Sequence, residues 1–294
     1  MKSKLTKIII IFFFILIFLK KDLMYTTLYS TTIIWFKNIV PNLFPMFIIT
    51  SLIVESNLII NICNLFGKLF SYIFKTSKFG IFVFTLSLFT GSPSNAKYIQ
   101  DLIEKKLIST SEGNKLLVFT TNYNPLLIYS LLKLYLSSKT SIILIIIVIF
   151  SNIILGLINR NIKYDKILNE YKINKINLSK IIKETIDTLL MILGTLVIFN
   201  IIINILPFNK IVKNILNGIL EITTALNGLK YLSVNENIKI LLSLIYLSFG
   251  GLSIHTQIKS IFKDTNYQFF LKNKIYSVII SLILLIIFHS MKLL

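Results

Sequence analysis

Residues 79–97 read FGIFVFTLSLFTGSPSNAK, an apolar run that stops at a glycine-serine-proline turn. About 12 apolar residues cannot carry a helix across a hydrocarbon layer ~30 Å thick, which needs about 20. Helix is predicted to resume at Ser94 and to continue to about residue 106. Such a break leaves backbone N–H and C=O groups without partners, so it is tolerated in a membrane only inside protein or beside a water-filled cavity.

The composition of the whole chain also indicates a membrane protein. Of 294 residues, 55% are hydrophobic and 15% are charged, whereas a soluble domain carries about 25% charged residues. The mean hydropathy of +0.80 excludes a cytosolic enzyme, a secreted disulfide scaffold and a disordered tail. We expect an all-α polytopic integral membrane protein in the lipid bilayer, with about eight membrane segments that include broken or re-entrant helices.

The charge balance is strongly basic, at a net +19. The basic residues lie mostly between apolar runs, where they are typical of cytoplasmic loops and of contacts with anionic lipids. We therefore expect no nucleic-acid partner and a multi-pass protein of the cell membrane, with the basic loop 159–187 in the cytoplasm. One cysteine and two histidines exclude an internal disulfide and a zinc cluster, and we predict no metal and no cofactor.

Four parts of the chain follow from this pattern. Residues 1–34 form an N-terminal membrane helix and a connector, and residues 35–158 form a first half. Residues 159–187 are the basic loop, and residues 188–294 form a second half. The apolar run at residues 8–19 is predicted to be an uncleaved membrane helix, because no small-residue cleavage site follows it.

The two halves show a possible internal repeat. A helix at 43–62 contains Glu55, and a helix at 211–232 contains Glu221 and is expected to be interrupted near Gly218 and Gly228. Each of them precedes a short apolar helix that ends at a glycine, at residue 91 or 251. Paired interrupted segments of this kind are typical of transporters.

Small polar side chains cluster at the breaks predicted at Gly91, at Asn122-Tyr123-Asn124-Pro125 and at Gly250-Gly251, and they are candidates for binding a solute. These residues are Ser92, Ser94, Asn95, Thr120, Thr121, Asn122, Asn124, Ser253, His255 and Gln257. Uncharged donors and acceptors suit a neutral hydrogen-bonding solute such as a nucleoside, and half-helix N-termini could also hold an anion. The alternative is that these side chains cap helix ends and bridge helices.

Three charged residues are candidates for ion coupling. Glu55 and Glu221 would be costly inside a membrane unless they bind a cation, a proton or the solute. Lys97 could balance one of them. The alternative is that both carboxylates reach water at the membrane interface.

The spacing of Ser94 and Lys97 also matches the Ser-x-x-Lys pattern of serine acyl-transfer enzymes. A motif that fixes two residues is weak, and no Lys-Thr-Gly sequence accompanies it. The chain has no phosphate-binding loop or dinucleotide fingerprint. We expect a protein that is not an enzyme, with a membrane acyl-transfer enzyme as an open alternative.

Three segments together resemble the sporulation integral membrane protein YlbJ family. They are GSPSNAK at 91–97, FTTNYNP at 119–125 and FGGLSIHTQ at 249–257. The family is similar to a wider group with the nucleoside-recognition Gate domain, which includes concentrative nucleoside transporters and a ferrous-iron transporter. The chain departs from the family pattern at Ser92, where tyrosine is usual, at Asn95, where glycine is usual, and at Tyr123-Asn124, where Ser-Gly is usual.

This resemblance implies a Gate-type permease or channel component for a small polar, nucleoside-like solute. The alternative is a non-transporting membrane scaffold that is needed for spore formation and acts through membrane-protein partners or a homo-oligomer. A cavity beside the polar residues would favour the permease, and tight packing without a cavity would favour the scaffold.

Overall fold

The computed structural model describes residues 14–15, 18–56, 58–167 and 176–292, which form helices and no strands. Five helices in these ranges are long and apolar enough to cross a membrane: Lys21–Glu55, Ser138–Ile158, Leu178–Ile205, Glu236–Ile261 and Tyr267–Ser290. The all-α membrane fold is therefore confirmed, whereas the number of about eight segments stays a prediction. The predicted first helix at 8–19 lies mostly outside the described residues, as do residues 168–175 of the basic loop.

The helices are numbered here in chain order. Before the basic loop they are α1 (Lys21–Ile34), α2 (Val40–Glu55), α3 (Leu58–Phe74), α4 (Gly80–Thr90), α5 (Ser94–Glu104), α6 (Thr110–Thr120), α7 (Pro125–Leu132) and α8 (Ser138–Ile158). After the loop they are α9 (Leu178–Ile205), α10 (Lys210–Leu220), α11 (Ile222–Leu229), α12 (Glu236–Phe249), α13 (Gly251–Ile261) and α14 (Tyr267–Ser290). A π-helical segment, Trp35–Ile39, joins α1 to α2 without a gap.

Helices α4 and α5 form a re-entrant hairpin, which we call hairpin 1. The rings of Phe82 and Tyr98, on opposite sides of the turn, lie 6.2 Å apart between centroids, so the two helices run antiparallel. The turn at residues 91–93 is the tip of hairpin 1. Gly91 has φ +75° there, a conformation that L side chains rarely adopt.

Helices α10 and α11 form a second hairpin, hairpin 2, with Glu221 at its tip. The Asn214 side-chain amide donates to the Ala225 carbonyl at 2.8 Å, which again requires antiparallel helices. The predicted interruptions near Gly218 and Gly228 are wrong, because both glycines lie inside helices. Gly218 instead gives room to a ring of α12, since a Cβ there would overlap the ring of Tyr246.

Each hairpin tip contacts a break in another helix. The α6–α7 break spans residues 121–124, and the Ser92 backbone N–H donates to the Asn122 carbonyl at 2.7 Å. The α12–α13 break is at Gly250, which has φ +100°, and a Cβ at Gly251 would lie 3.4 Å from the Ile222 nitrogen of hairpin 2. The breaks predicted at residues 91, 122–124 and 250 are confirmed.

The two hairpins enter from opposite ends of the bundle. At the end that we call the Arg160 face, Lys105 after α5 pairs with Glu55 at 2.5 Å, and the start of α9 lines a cleft with them. Helix α9 is roughly 42 Å long at 1.5 Å per residue, and α10 begins just beyond its far end. That far end, where α12 also begins after Asn235, is the Asn235 face.

The prediction that Glu55 lies well inside a helix at 43–62 is wrong. Helix α2 ends at Glu55, and Ser56 has extended backbone with φ −100° and ψ 164°. The Ser56 hydroxyl accepts the Leu58 N–H at 3.4 Å, which is how serine favours a helix start over a helix interior. Glu55 and Glu221 therefore do not occupy equivalent positions.

We predict that Gly91→Ala destabilises the protein, since a Cβ at residue 91 would overlap the Asn124 nitrogen and the left-handed conformation alone costs about 1–2 kcal/mol. Gly194→Ala is the matched control, because nothing lies within 4 Å of its Cβ position and alanine favours a helix interior. In detergent, the Tm should fall by at least about 5 °C for the first variant and should not fall for the second. Equal Tm values for the two variants would contradict the tight contact between tip and break.

Candidate functional site

Two connected cavities lie beside the hairpin tips. The inner cavity, about 80 Å³, is lined by both tips, by Tyr123 and Asn124 of the α6–α7 break, and by Gln257 of α13. The outer cavity, about 620 Å³, shares lining residues with it, including Asn42, Asn124 and Glu221. It extends along α1 and the second half of α9 towards the Asn235 face.

Four of the predicted site residues line the inner cavity. They are Ser92, Asn124, Glu221 and Gln257. The Gln257 amide donates to Thr195 of α9 at 2.9 Å and to Ser253 at 3.2 Å, so its position is fixed from two sides. The structure thus brings together residues from both hairpin tips and both broken helices.

Other predicted residues lie behind the cavity and hold the helices together. The Asn95 amide donates to the Thr121 hydroxyl at 3.1 Å and the Thr120 hydroxyl at 3.4 Å, and its oxygen accepts from Ser92 at 3.0 Å. Ser94, Asn95 and Thr120 have no exposed surface. The bonds of Asn95 link α5 to the end of α6, which fits the packing role that the sequence left open as the alternative.

The α6–α7 break is satisfied by side chains from the spanning helices. The Thr121 carbonyl accepts from the Asn152 amide at 3.0 Å and from the Lys274 ammonium at 3.2 Å. Asn122 accepts from Asn152 at 2.9 Å. A buried ammonium at the C-terminal end of α6 also matches the negative end of that helix dipole.

At the α12–α13 break, His255 takes the equivalent role. Its Nε2 lies 2.9 Å from the Phe249 carbonyl, which can only accept, so Nε2 carries the hydrogen. Nδ1 lies 3.2 Å from the Tyr267 hydroxyl. Both ring nitrogens are thus engaged within the protein, and His255 caps the last turn of α12.

Glu221 is a carboxylate that lines both the inner and the outer cavity. It is 2% exposed, and its oxygens accept the backbone N–H groups of Thr223 at 3.0 Å and Thr224 at 2.7 Å. Its negative charge is placed at the positive end of α11, which lowers the cost of burial. Because this helix N-terminus already holds a carboxylate, the predicted option of an anion bound there is disfavoured.

Sequence reasoning missed the wall opposite the tips, which is the π-helical segment and the start of α2. Asn38 and Asn42 line both cavities, and the Asn42 amide donates to the Asn38 carbonyl at 2.6 Å. Pro41 lacks the N–H that would continue the helix ladder, and the Val40 N–H instead bonds Trp35, five residues back. The sequence feature that could have indicated this wall is a pair of asparagines four residues apart, on either side of a proline in an apolar helix.

Glu55 and Lys97 lie elsewhere, at the Arg160 face. Lys97 pairs with Asp101 at 2.5 Å and with Glu184 of α9 at 3.5 Å. The contacts described for the Lys97 ammonium include none with Ser94, so the Ser-x-x-Lys spacing coincides with an ion-pair network. Sequence reasoning did not identify Asp101, Lys105 and Glu184. Lys105 and Glu184 pair with residues that are distant in the chain, whereas Asp101 lies four residues after Lys97 on the same helix.

We predict that Glu221→Ala destabilises the protein by about 2 kcal/mol or more, since two partly buried N–H groups lose their acceptor at about 1–3 kcal/mol each. Asn235→Ala is the matched control, because it removes an exposed helix cap on the Ile238 N–H and costs about 1 kcal/mol. Thermal unfolding in detergent would rank wild type, Asn235→Ala and Glu221→Ala in falling order of Tm. The reverse order for the two variants would show that the carboxylate does not hold the tip.

A scan against known protein families finds no match, and a search of solved structures finds none either. Among curated proteins, the chain is 22% identical over 283 residues to the sporulation integral membrane protein YlbJ of Bacillus subtilis (strain 168). The alignment covers 80% of this chain and 69% of that protein. The family predicted from the three motifs is thereby supported: the chain is a relative of the sporulation integral membrane protein YlbJ, and the wider Gate relationship stays a prediction.

Proposed function

We propose that the protein is a permease for a small polar solute, which binds between the two hairpin tips. The observation that carries this proposal is the pair of connected cavities at the point where both tips and both helix breaks meet. Broken helices inside a membrane are tolerated where they are buried in protein or line a water-filled cavity. The two pairs of hairpin and broken helix would form an inverted repeat, with alternating access produced by movement of one part of the bundle against the other.

The chemistry of the lining favours a neutral or cationic solute that is rich in hydrogen-bonding groups. Gln257 uses both amide hydrogens within the protein and offers its oxygen to a solute, whereas Asn124 uses its oxygen as a helix cap and offers its amide hydrogens. Asn38 and Asn42 add two further amide side chains to the lining. The Tyr123 hydroxyl is buried and has no partner among the described residues, which leaves it available to a solute. A nucleoside-like compound, with its base and sugar hydroxyl groups, matches this set.

Among the residues that line the two cavities, Glu221 is the one that we propose for coupling transport to an ion. Glu221 and Lys37 are the charged residues that line the inner and outer cavities in the described part of the chain, and Lys37 is exposed. A buried carboxylate beside the solute can bind a proton or a cation. Glu55 and Lys97 line neither of these cavities and are held in ion pairs with Lys105, Asp101 and Glu184.

The relative's name suggests the setting in which this permease would act. That protein is described as a sporulation integral membrane protein, so we propose that this chain also serves in a membrane during spore formation, with loop 159–187 in the cytoplasm. A scaffold that acts through protein partners is the second candidate, favoured by the many polar residues that pack behind the cavity rather than line it.

Uptake into proteoliposomes tests the permease. Nucleosides and small neutral metabolites would be screened with wild type, Glu221→Gln and Asn42→Ala, which alter two lining residues. Thr256→Ala is the control, because Thr256 is exposed on α13 next to Gln257. We expect uptake of at least one solute to fall about tenfold in both lining variants, the change that 1.4 kcal/mol produces, and to be unchanged in the control.

Binding provides an independent readout of the same site. A transported solute at about 100 times its Kd should stabilise the wild-type protein by about 2.7 kcal/mol and the lining variants by less. If no solute binds, or if uptake is the same in both lining variants as in wild type, the scaffold becomes the better account.

A further inference from the structure

A third cavity, the charged cleft, opens at the Arg160 face. Its volume is about 300 Å³. Most of its lining is polar or charged: Ser51, Glu55, Asp101, Glu104, Lys105, Asn177, Lys180 and Glu184, with Val54 and Ile181. Ion pairs rather than apolar contacts therefore fill the space between the helix ends here.

The charged cleft and the inner cavity lie along the same three helices. On each helix, one residue that lines the inner cavity and one residue that lines the charged cleft are eight positions apart in the sequence. The pairs are Leu43 and Ser51 on α2, Pro93 and Asp101 on α5, and Ile192 and Glu184 on α9. Eight residues span roughly 12 Å of helix, so the two cavities are neighbours along one groove.

A short buried plug separates the two cavities. Phe47 lies midway between Leu43 and Ser51 and has no exposed surface, and Leu189 on α9 is 3% exposed. Both belong to one apolar cluster. On α5 the residue between the cavities is Lys97, which is 6% exposed.

Ion pairs across helices hold the groove shut beyond this plug. Lys105 joins the end of α5 to Glu55 of α2 at 2.5 Å, and Lys97 joins α5 to Glu184 of α9 at 3.5 Å. Hairpin 1 is thus tied to both neighbouring helices at the Arg160 face, while the inner cavity continues into the outer cavity towards the Asn235 face.

We infer that the charged cleft is the second mouth of the solute pathway, closed in this structure by the buried plug and, beyond it, by the pairs of Lys105 with Glu55 and Lys97 with Glu184, which hold the plug in place. This inference rests on the proposed function, since it assigns the other end of the same pathway. Both pairs lie at the edge of the open cleft, where Glu55 and Lys105 are 17% exposed and Glu184 is 38% exposed, so water can solvate these charges when the pairs separate. Lys97 would keep its partner Asp101 on the same helix in the open state, so no buried charge is left unpaired.

Thiol labelling from each face of the membrane tests the second mouth without any solute. Cys63, the one cysteine of the chain, is buried and would be replaced in a Cys63→Ala background. Asn42→Cys then reports access to the cavities. In the otherwise wild-type chain, we expect a membrane-impermeant reagent to label this cysteine from the Asn235 face. When Glu55→Gln and Glu184→Gln are added together, we expect labelling from the Arg160 face to rise at least about tenfold.

The control is Lys180→Gln, which removes a pair with Glu184 within one helix and should leave labelling unchanged. Glu55→Lys should also open the mouth, and adding Lys105→Glu should close it again by restoring the pair with reversed charges, which separates a gate from general unfolding. Equal labelling in the paired and unpaired variants overturns the inference, even where uptake is observed. A shift in labelling without uptake of any solute supports the mouth and counts against the proposed permease alone.

Discussion

The need to satisfy main-chain groups at helix breaks inside the membrane governs this structure. A break deprives several N–H and C=O groups of helical partners, at a cost of several kcal/mol for each group in hydrocarbon. At each described break, specific groups replace the missing helical hydrogen bonds. The Ser92 N–H bonds the Asn122 carbonyl, and the Glu221 carboxylate accepts two N–H groups. Lys274 and His255 each bond a carbonyl that has lost its helical partner. The polar residues of the chain are concentrated where these replacements are needed.

The same constraint generates the candidate site. Because the tips of two opposed hairpins meet two helix breaks, polar groups from four segments converge in the interior. Several of them line a cavity, including the capping residues Asn124 and Glu221. The cavity is closed towards one face by Phe47, Leu189 and the ion pairs of α5, and it widens towards the other face along α1 and α9. In the proposed permease, neutral amides near the tips would recognise the solute, and ion pairs at the mouth would close the pathway.

Much of this arrangement was predictable from the sequence, because glycine, proline and asparagine at the ends of apolar runs that are too short to span strongly favour a broken helix over a continuous one. The break at Glu221 was not predictable, since the nearby glycines 218 and 228 were better local candidates and are helical for packing reasons. The sequence alone also could not identify which polar residues line the cavity. Asn95 and Asn124 look alike in their motifs, and only the direction of α5 and α7 places the first behind the cavity and the second in it.

The most direct test of the central claim is the side of the membrane from which the hairpin ends can be labelled. In a Cys63→Ala background, single cysteines at Lys78 and Glu104, which flank hairpin 1, and at Lys210 and Lys230, which flank hairpin 2, would be treated with an impermeant thiol reagent from each face. Both residues of the first pair should react from the Arg160 face, and both residues of the second pair should react from the Asn235 face. Reaction of the two members of either pair from opposite faces would show that the segment crosses the membrane and would contradict the meeting of two hairpin tips in its interior.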